Sequence, residues 1–222
     1  LHEGKNFICH QGSTYSGKTF SVLVALVLFL LKSEKSLKVR VIGQTREHLK
    51  DGALDDFVTI TDEMQCIDKE LTQEKKYWIN GSTIKFLSVD KLGKAKGAKF
   101  DITFINEANY IKWPIAQQLI LRTDVCTIID FNPVSEFWFH TNILPDKSRK
   151  LLYKRTTYKD NPAVSESKIK EIEALKYTDE QMYRVYALGL TGKIEGLIFP
   201  EFQIVQSMPD DLKRSEEHTS EL

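Results

Sequence analysis

Gln11-Gly12-Ser13-Thr14-Tyr15-Ser16-Gly17-Lys18-Thr19-Phe20-Ser21 is the stretch that decides how this chain folds. Residues 12–19 fill every fixed position of G-x-x-x-x-G-K-[ST]. In that pattern backbone N–H groups turn inward around phosphate oxygens, so glycine is needed where a side chain would block the approach. Gly12, Ser13, Thr14, Tyr15, Ser16 and Gly17 are the expected cradle for the phosphates of ATP. Lys18 then reaches the terminal phosphates, and the Thr19 hydroxyl is placed to ligate Mg²⁺. The pattern carries weight only between a strand and a helix. NFICH, residues 6–10, is a short apolar run suited to a buried strand. VLVALVLFLL, residues 22–31, is an unbroken apolar run long enough for a helix whose N-terminus faces the phosphates. A chance glycine-rich turn would lack these flanks.

Outward from this loop, LKVRVI (37–42) reads as a second strand, with Gly43-Gln44-Thr45-Arg46 at its C-terminal end. Ligands of open α/β sheets sit at that edge, so Arg46 is a candidate phosphate sensor or a contact to a neighbouring subunit; a solvated arginine near a helix start fits equally well. Residues 49–60 have helical spacing, with Leu54, Phe57 and Val58 on one side. YWINGSTIKF (77–86) is a hairpin signal, because Asn80-Gly81 suits a two-residue type I′ turn. Residues 90–99, DKLGKAKGAK, form a basic loop compatible with contact to DNA or nucleotide phosphates and with simple solvation.

FDITFINEAN (100–109) is the second chemical stretch, an apolar strand ending in a polar pair. The first of the pair normally steadies the Mg²⁺ shell and the second orients and deprotonates the attacking water, here Glu107. The first is Asn106, whose amide oxygen can accept from a metal-bound water but brings no charge, so weaker magnesium affinity is expected. Asp101 lies at the far end of the strand and is a poor substitute. VCTII (125–129) is a further buried strand, followed by Asp130-Phe131-Asn132-Pro133. Asp130 or Asn132 at such a tip could bond the γ-phosphate or the lytic water and report hydrolysis, although Asn-Pro is also an ordinary turn signal. Arg122 is a second arginine candidate. Trp138 and Phe139 are expected in the core. Residues 151–156 read as a strand, and 167–175 and 179–188 as helices. Thr178 with Gln181 reads as a capping box for the second helix, Gly189 as its stop, and Met182, Val185 and Leu188 as its apolar face. Residues 192–200 read as an exit linker and short strand.

With 222 residues and 41% hydrophobic content, the chain can bury one sizeable core. Lysine plus arginine equals aspartate plus glutamate at 31 each, so total charge neither supports nor excludes a nucleic-acid partner. Cys9, Cys66 and Cys126 are far apart, without metal-ligand spacing, and read as reduced thiols of an intracellular protein. No signal peptide is visible, and the apolar run 22–31 is too short to span a bilayer. RSEEHTSEL (214–222) resembles a translated sequencing-adapter oligonucleotide. We expect it to be non-native, and the chain to be a fragment whose true sequence diverges after Lys213.

Four elements stand in order: GSTYSGKT, VIGQTREHL, FINEAN, and DFNP followed by TTYKDNP. Together they resemble the ATPase domain of a tailed-phage terminase large subunit, the motor that packages DNA, from residue 6 to about residue 209. GKT is common to many ATPases; the later motifs in this order are more specific. The resemblance implies an α/β P-loop NTPase of the RecA-like, additional-strand-conserved-glutamate class, with a mostly parallel central sheet flanked by helices and an edge hairpin. It implies that Lys18 and Thr19 hold Mg-ATP, with Asn106 near the metal, and that Glu107 is the catalytic carboxylate. Asp130 and Asn132 lie in the implied coupling segment. An arginine from the same or the adjacent subunit completes such a site, and Arg46 matches the strand-end position. Implied partners are double-stranded DNA, the portal protein, the small terminase subunit and further copies in a ring on the procapsid, in the host cytoplasm and without a membrane. The implied layout is an ATPase domain over 1–190, then a linker and the start of a nuclease domain over 191–213. ATP hydrolysis without DNA cleavage is therefore expected. Two rivals stay open: another P-loop enzyme such as a helicase or nucleotide kinase, and a non-catalytic nucleotide-binding assembly module.

Overall fold

The computed structural model describes residues 4, 6–89 and 98–192. Its strands are β1 (Phe7–Gly12), β2 (Lys38–Gly43), β3 (Lys69–Leu71), β4 (Lys76–Ile79), β5 (Ser82–Ser88), β6 (Phe100–Ile105), β7 (Thr123–Phe131) and β8 (Leu151–Thr156). Its helices are α1 (Lys18–Lys32), α2 (Arg46–Leu49), α3 (Asp55–Met64), α4 (Trp113–Leu121), α5 (Glu166–Thr178) and α6 (Glu180–Met182). The strands form one sheet in the order β3-β4-β5-β2-β6-β7-β1-β8. Every pairing from β5 to β8 is parallel; the pairings β3–β4 and β4–β5 are antiparallel, so β4 alone runs against the other strands. The expected α/β class and mostly parallel sheet are thus the observed ones.

Period-2 alternation divides the core between the two faces of the sheet. Val39, Val41, Ile102, Phe104, Cys126 and Ile128 face α1 and α3, where they meet Leu23, Leu26, Val27, Leu30, Phe57 and Ile60. Ile42, Ile105, Ile129 and Phe131 face the other way, onto Ala116 and Leu119 of α4 and onto Trp138 and Phe139. The same alternation, carried one step beyond the apolar run, puts Asn106 and Asp130 on the α1 face. His10 pairs with Asp130 in register and shares that face. Three parallel neighbours, β6, β7 and β1, therefore present their C-terminal ends together beneath the start of α1.

The hairpin turn has φ of 48° at Asn80 and 71° at Gly81, as a type I′ turn requires. Asn80 Nδ2 also donates to the carbonyls of Leu30, Leu31 and Ser33 at 3.3, 3.1 and 3.1 Å. It thereby caps the end of α1, whose last carbonyls have no partner within the helix.

Several local expectations need correction. The helix expected over 49–60 is broken: α2 ends at Leu49, a widened turn covers Lys50–Leu54, and Gly52 is non-helical at φ −131°, ψ −105°. The break falls on the residue of that segment with the weakest helix propensity. Leu54 and Phe57 are nevertheless buried, as their spacing required. The strand over 125–129 is longer, begins with exposed residues at Asp124 and Val125, and includes Asp130 and Phe131. The Thr178–Gln181 capping box does not form. Thr178 ends α5 and donates to Ala174 O, while Asp179 caps α6 by accepting from Met182 N at 2.9 Å. Asp179 wins because a carboxylate at the N-cap is at least as good an acceptor as the preceding threonine. Of the expected apolar face only Val185 is buried; Met182 and Leu188 are exposed. Gly189 does end this stretch, at φ 60°. Residues 90–97 of the basic loop and 193–200 of the expected linker and strand lie outside the described residues. Among the described residues, no helix is long and apolar enough to cross a membrane.

Candidate active site

The loop between β1 and α1 is shaped by two glycines. A Cβ on Gly12 would stand 2.5 Å from Ser16 Oγ and 3.0 Å from both Lys18 Cδ and Thr156 Oγ1. Gly17 takes φ 68°, which glycine adopts without strain, and Tyr15 likewise lies in the left-handed region at 59°. Left-handed residues within the loop turn successive N–H groups inward, the geometry of an anion nest. The loop is fastened from outside by residues far along the chain. Ser13 N donates to Thr156 O at 3.0 Å, Ser13 Oγ accepts from Tyr158 N at 2.9 Å, and Tyr15 O accepts from Asn161 Nδ2 at 2.8 Å. Gln11, almost wholly buried, donates to Gly189 O and accepts from the Tyr153 hydroxyl, both at 2.7 Å.

Lys18 Nζ reaches Asn132 Oδ1 at 2.5 Å and Ser13 O at 3.4 Å. Burial pulls its pKa down, and the carboxylates of Asp130 and Glu107 push it back up. Thr19 Oγ1 donates to Asp130 Oδ2 at 2.5 Å. Asn106 Nδ2 donates to Asp130 Oδ1 at 3.0 Å and to Thr19 Oγ1 at 3.3 Å. A carboxylate only accepts, so the amide nitrogen must be the atom turned toward it. Glu107 N donates to the same Asp130 Oδ1 at 2.8 Å.

Glu107 itself sits just past β6 at φ 52°, a left-handed conformation that costs a non-glycine residue on the order of 1–3 kcal/mol. That turn swings its side chain into a cleft of about 170 Å³, shared with Thr19, His48, Asp51, Asp56 and Asn106. Burial raises the Glu107 pKa above the usual carboxylate range; His48 opposes this, Asp130 adds to it and Lys18 opposes it. His48 Nδ1 lies 3.0 Å from Glu107 Oε2, close enough for an ion pair but without hydrogen-bond alignment.

The structure thus brings together Lys18, Thr19, Asn106, Glu107, Asp130 and Asn132. It leaves Arg46 elsewhere, beside a separate cavity of about 590 Å³ lined also by Lys50, Lys75 and Lys85. The Arg122 carbonyl accepts from Phe100 N at the start of β6, so this arginine stands a full strand length from Glu107. One contributor, His48, was missed, and Asp130, expected as a coupling residue, has contacts that were not foreseen. His48 lies in the short α2, and nothing in its local sequence marks it as facing Glu107. The convergence of Asp130 on Thr19 and Asn106 follows only from the β6–β7 register, although the period-2 pattern alone could have placed it on the α1 face.

The site fits a magnesium–triphosphate group on its own chemistry. Ser16 Oγ is buried without a partner, and the Lys18 cation rests against two neutral oxygens, so both are available to phosphate. Thr19 offers a hydroxyl lone pair beside a carboxylate.

A family model for the phage terminase large subunit matches residues 4–190. The PBSX phage terminase large subunit of Bacillus subtilis (strain 168) is 25% identical over 228 residues, covering 87% of this chain and 51% of that protein. Among solved structures, the large terminase of a thermophilic bacteriophage superposes with a TM-score of 0.74 at 20% identity, over 90% of this chain and 52% of that one. The same phage's protein in complex with ADP gives 0.70 at 19% identity, over 84% and 48%. The Thermus phage P74-26 large terminase ATPase domain gives 0.61 at 13% identity, over 85% of this chain and 90% of that domain. At these identities the superpositions speak for a shared fold. The chain spans about half, 51%, of the length of its curated relative.

Proposed function

The chain belongs to the family of phage terminase large subunits, and from that premise we propose that it binds Mg-ATP and hydrolyses it to drive double-stranded DNA into a procapsid. The observation that carries this reading is the meeting of Lys18, Thr19, Asn106, Glu107, Asp130 and Asn132 at one sheet edge. Inward N–H groups of the loop after Ser13, whose own N–H is held by Thr156 O, bind the phosphates, and Lys18 neutralises their terminal charge. Thr19, with Asn106 beside it, would hold Mg²⁺, which supplies further charge neutralisation at the transferring phosphoryl group. Glu107 orients the attacking water and accepts its proton; partial burial makes it a better base than a solvated carboxylate. Asn132 accepts from Lys18 and, with Asp130, reads the state of the lysine and threonine back to the segment after β7. Arg46, set apart from the cleft, serves as an arginine toward a neighbouring subunit's nucleotide.

Residues 1–190 make up the ATPase unit in this reading, and 191–213 lead into a nuclease domain. DNA contact runs through backbone charge, because a packaging motor must accept any sequence. The portal protein, the small terminase subunit and further copies of the chain are the partners in the host cell. The test is DNA-stimulated ATP hydrolysis by the wild-type chain and by Glu107→Gln. Loss of turnover with retained ATP binding supports the motor. Binding without turnover in both proteins supports the assembly-module alternative, and strand separation supports a helicase. Metal-dependent DNA cleavage by the chain alone would contradict the expectation that it lacks nuclease activity.

A further inference from the structure

Asp130 is the one carboxylate among the buried side chains of the described residues, with no exposed surface at all. A buried carboxylate usually needs a cationic partner, because its desolvation is costly. Among the described residues Asp130 makes no ion pair. It is held instead by three donors: the Thr19 hydroxyl, the Asn106 amide and the Glu107 backbone N–H. All three belong to the start of α1 or to the end of β6. Its negative charge therefore remains at the magnesium side of the nucleotide site rather than being cancelled by a salt bridge.

Residue 106 explains why the charge sits on β7. An acid at 106 would place two carboxylates about 3 Å apart, since Asn106 Nδ2 lies 3.0 and 3.3 Å from the two Asp130 oxygens. Like charges at that distance cannot both ionise readily. The amide instead donates to the carboxylate, so residues 106 and 130 form a complementary neutral–anionic pair. Thr19 sits between them. Its hydrogen is taken by Asp130 and one lone pair accepts from Asn106 Nδ2 at 3.3 Å, which leaves a second lone pair for the cleft that Thr19 lines.

We propose that Asp130 is the acidic positioning residue of the divalent-cation site, acting through the Thr19 hydroxyl and the Asn106 amide, the charge having been transposed from β6 to the tip of β7. This rests on the nucleotide-site reading above. It replaces the weak magnesium affinity expected from Asn106 with ordinary affinity, and assigns Asp130 a role distinct from that of Asn132.

The experiment compares the wild-type chain with Asp130→Asn, Asn106→Asp and the reciprocal exchange Asn106→Asp/Asp130→Asn. A fluorescent ADP is titrated in EDTA and in Mg²⁺, and Mn²⁺ binding in the presence of ADP is followed by electron paramagnetic resonance. Asp130→Asn should keep metal-free ADP binding while losing Mn²⁺ affinity by about 10–100-fold, the usual effect of removing an outer-shell partner. Asn106→Asp should also bind the metal poorly, because it crowds two acids. The reciprocal exchange should recover Mn²⁺ affinity to within about threefold of wild type, a residual far smaller than that loss. A purely structural Asp130 would not show metal-selective loss with reciprocal rescue. Wild-type Mn²⁺ affinity in Asp130→Asn would overturn the proposal. So would a reciprocal exchange that melts like wild type and binds ADP without metal yet does not recover Mn²⁺. Should either single variant fail to fold, the folded reciprocal exchange decides. Absence of ADP binding to the wild type, with or without metal, would remove the nucleotide-site reading itself and this proposal with it.

Discussion

Gly189→Ala tests whether the far end of the described chain is a structural part of the phosphate loop. Two costs can be read from the structure. Gly189 has φ 60°, and alanine in that region costs roughly 1–2 kcal/mol. Its new Cβ would stand 3.1 Å from both Ser13 N and Thr156 O. These are backbone atoms that hydrogen-bond to each other at 3.0 Å, so neither can rotate aside as a side-chain tip would. Overpacking of this kind costs about 1–3 kcal/mol. The sum is a loss of roughly 2–5 kcal/mol in unfolding free energy. In a chain of this size each kcal/mol moves the midpoint by about 2–4 °C, so a fall of roughly 6–12 °C is expected near a middle value of 3 kcal/mol. The displacement is directed at Ser13, so ADP affinity should fall as well. Differential scanning calorimetry and ADP titration below the midpoint give the two readings. A midpoint within about 2 °C of wild type, less than 1 kcal/mol on the same scale, would refute the close approach of this segment to the loop.

Glu107→Gln should lower ATP turnover by about 10²–10⁴-fold, the usual share of a general base, while nucleotide titration shows binding retained. His48→Ala removes the imidazole whose proximity lowers the Glu107 pKa, so the acid limb of the turnover–pH profile should move to higher pH; a stationary limb would show that the pair is inert. Burial lowers the pKa of His10 and of His140, so the unfolded chain binds more protons than the folded one just below the ordinary imidazole value of 6.5. Stability should then fall as pH drops from that value toward the folded pKa, and His140→Gln should flatten the fall in melting temperature measured across this window. Arg40, fully buried, donates to Thr103 Oγ1 and Leu119 O; Arg40→Ala removes both bonds, though each acceptor keeps a partner in Thr123 Oγ1, and opens a void that should cost about 2–5 kcal/mol in urea unfolding.

The parts of the molecule that were legible in the sequence are those governed by short-range rules. The glycines at 12 and 17 announced a loop that a Cβ would spoil, and apolar runs on either side announced the strand and helix that frame it. Asn80-Gly81 announced its turn because left-handed conformations at both positions are uncommon for other residue pairs. Gly52 could have been read as a break, since glycine is a poor residue for a helix interior. His48, the contacts of Asp130 with Thr19 and Asn106, and the Gln11–Gly189 contact were not legible because each depends on strand order or on a partner far away in the chain. Arg46 had the right sequence position, but the broken helix around it points to a different cavity. Asp179 displaced Thr178 as a cap through a competition between adjacent residues that composition alone does not resolve.

The outer supports of the phosphate loop, from Thr156, Tyr158, Asn161 and Gly189, all arrive about 140 or more residues after the loop they hold. A ribosome that has released β1 must still make that much chain, which at 5–20 residues per second takes on the order of ten to forty seconds. Until then Gln11 has no carbonyl to donate to and Ser13 has no strand end to lean on. A nascent chain can thus carry the whole GSTYSGKT segment and still lack the contacts that hold this loop in shape.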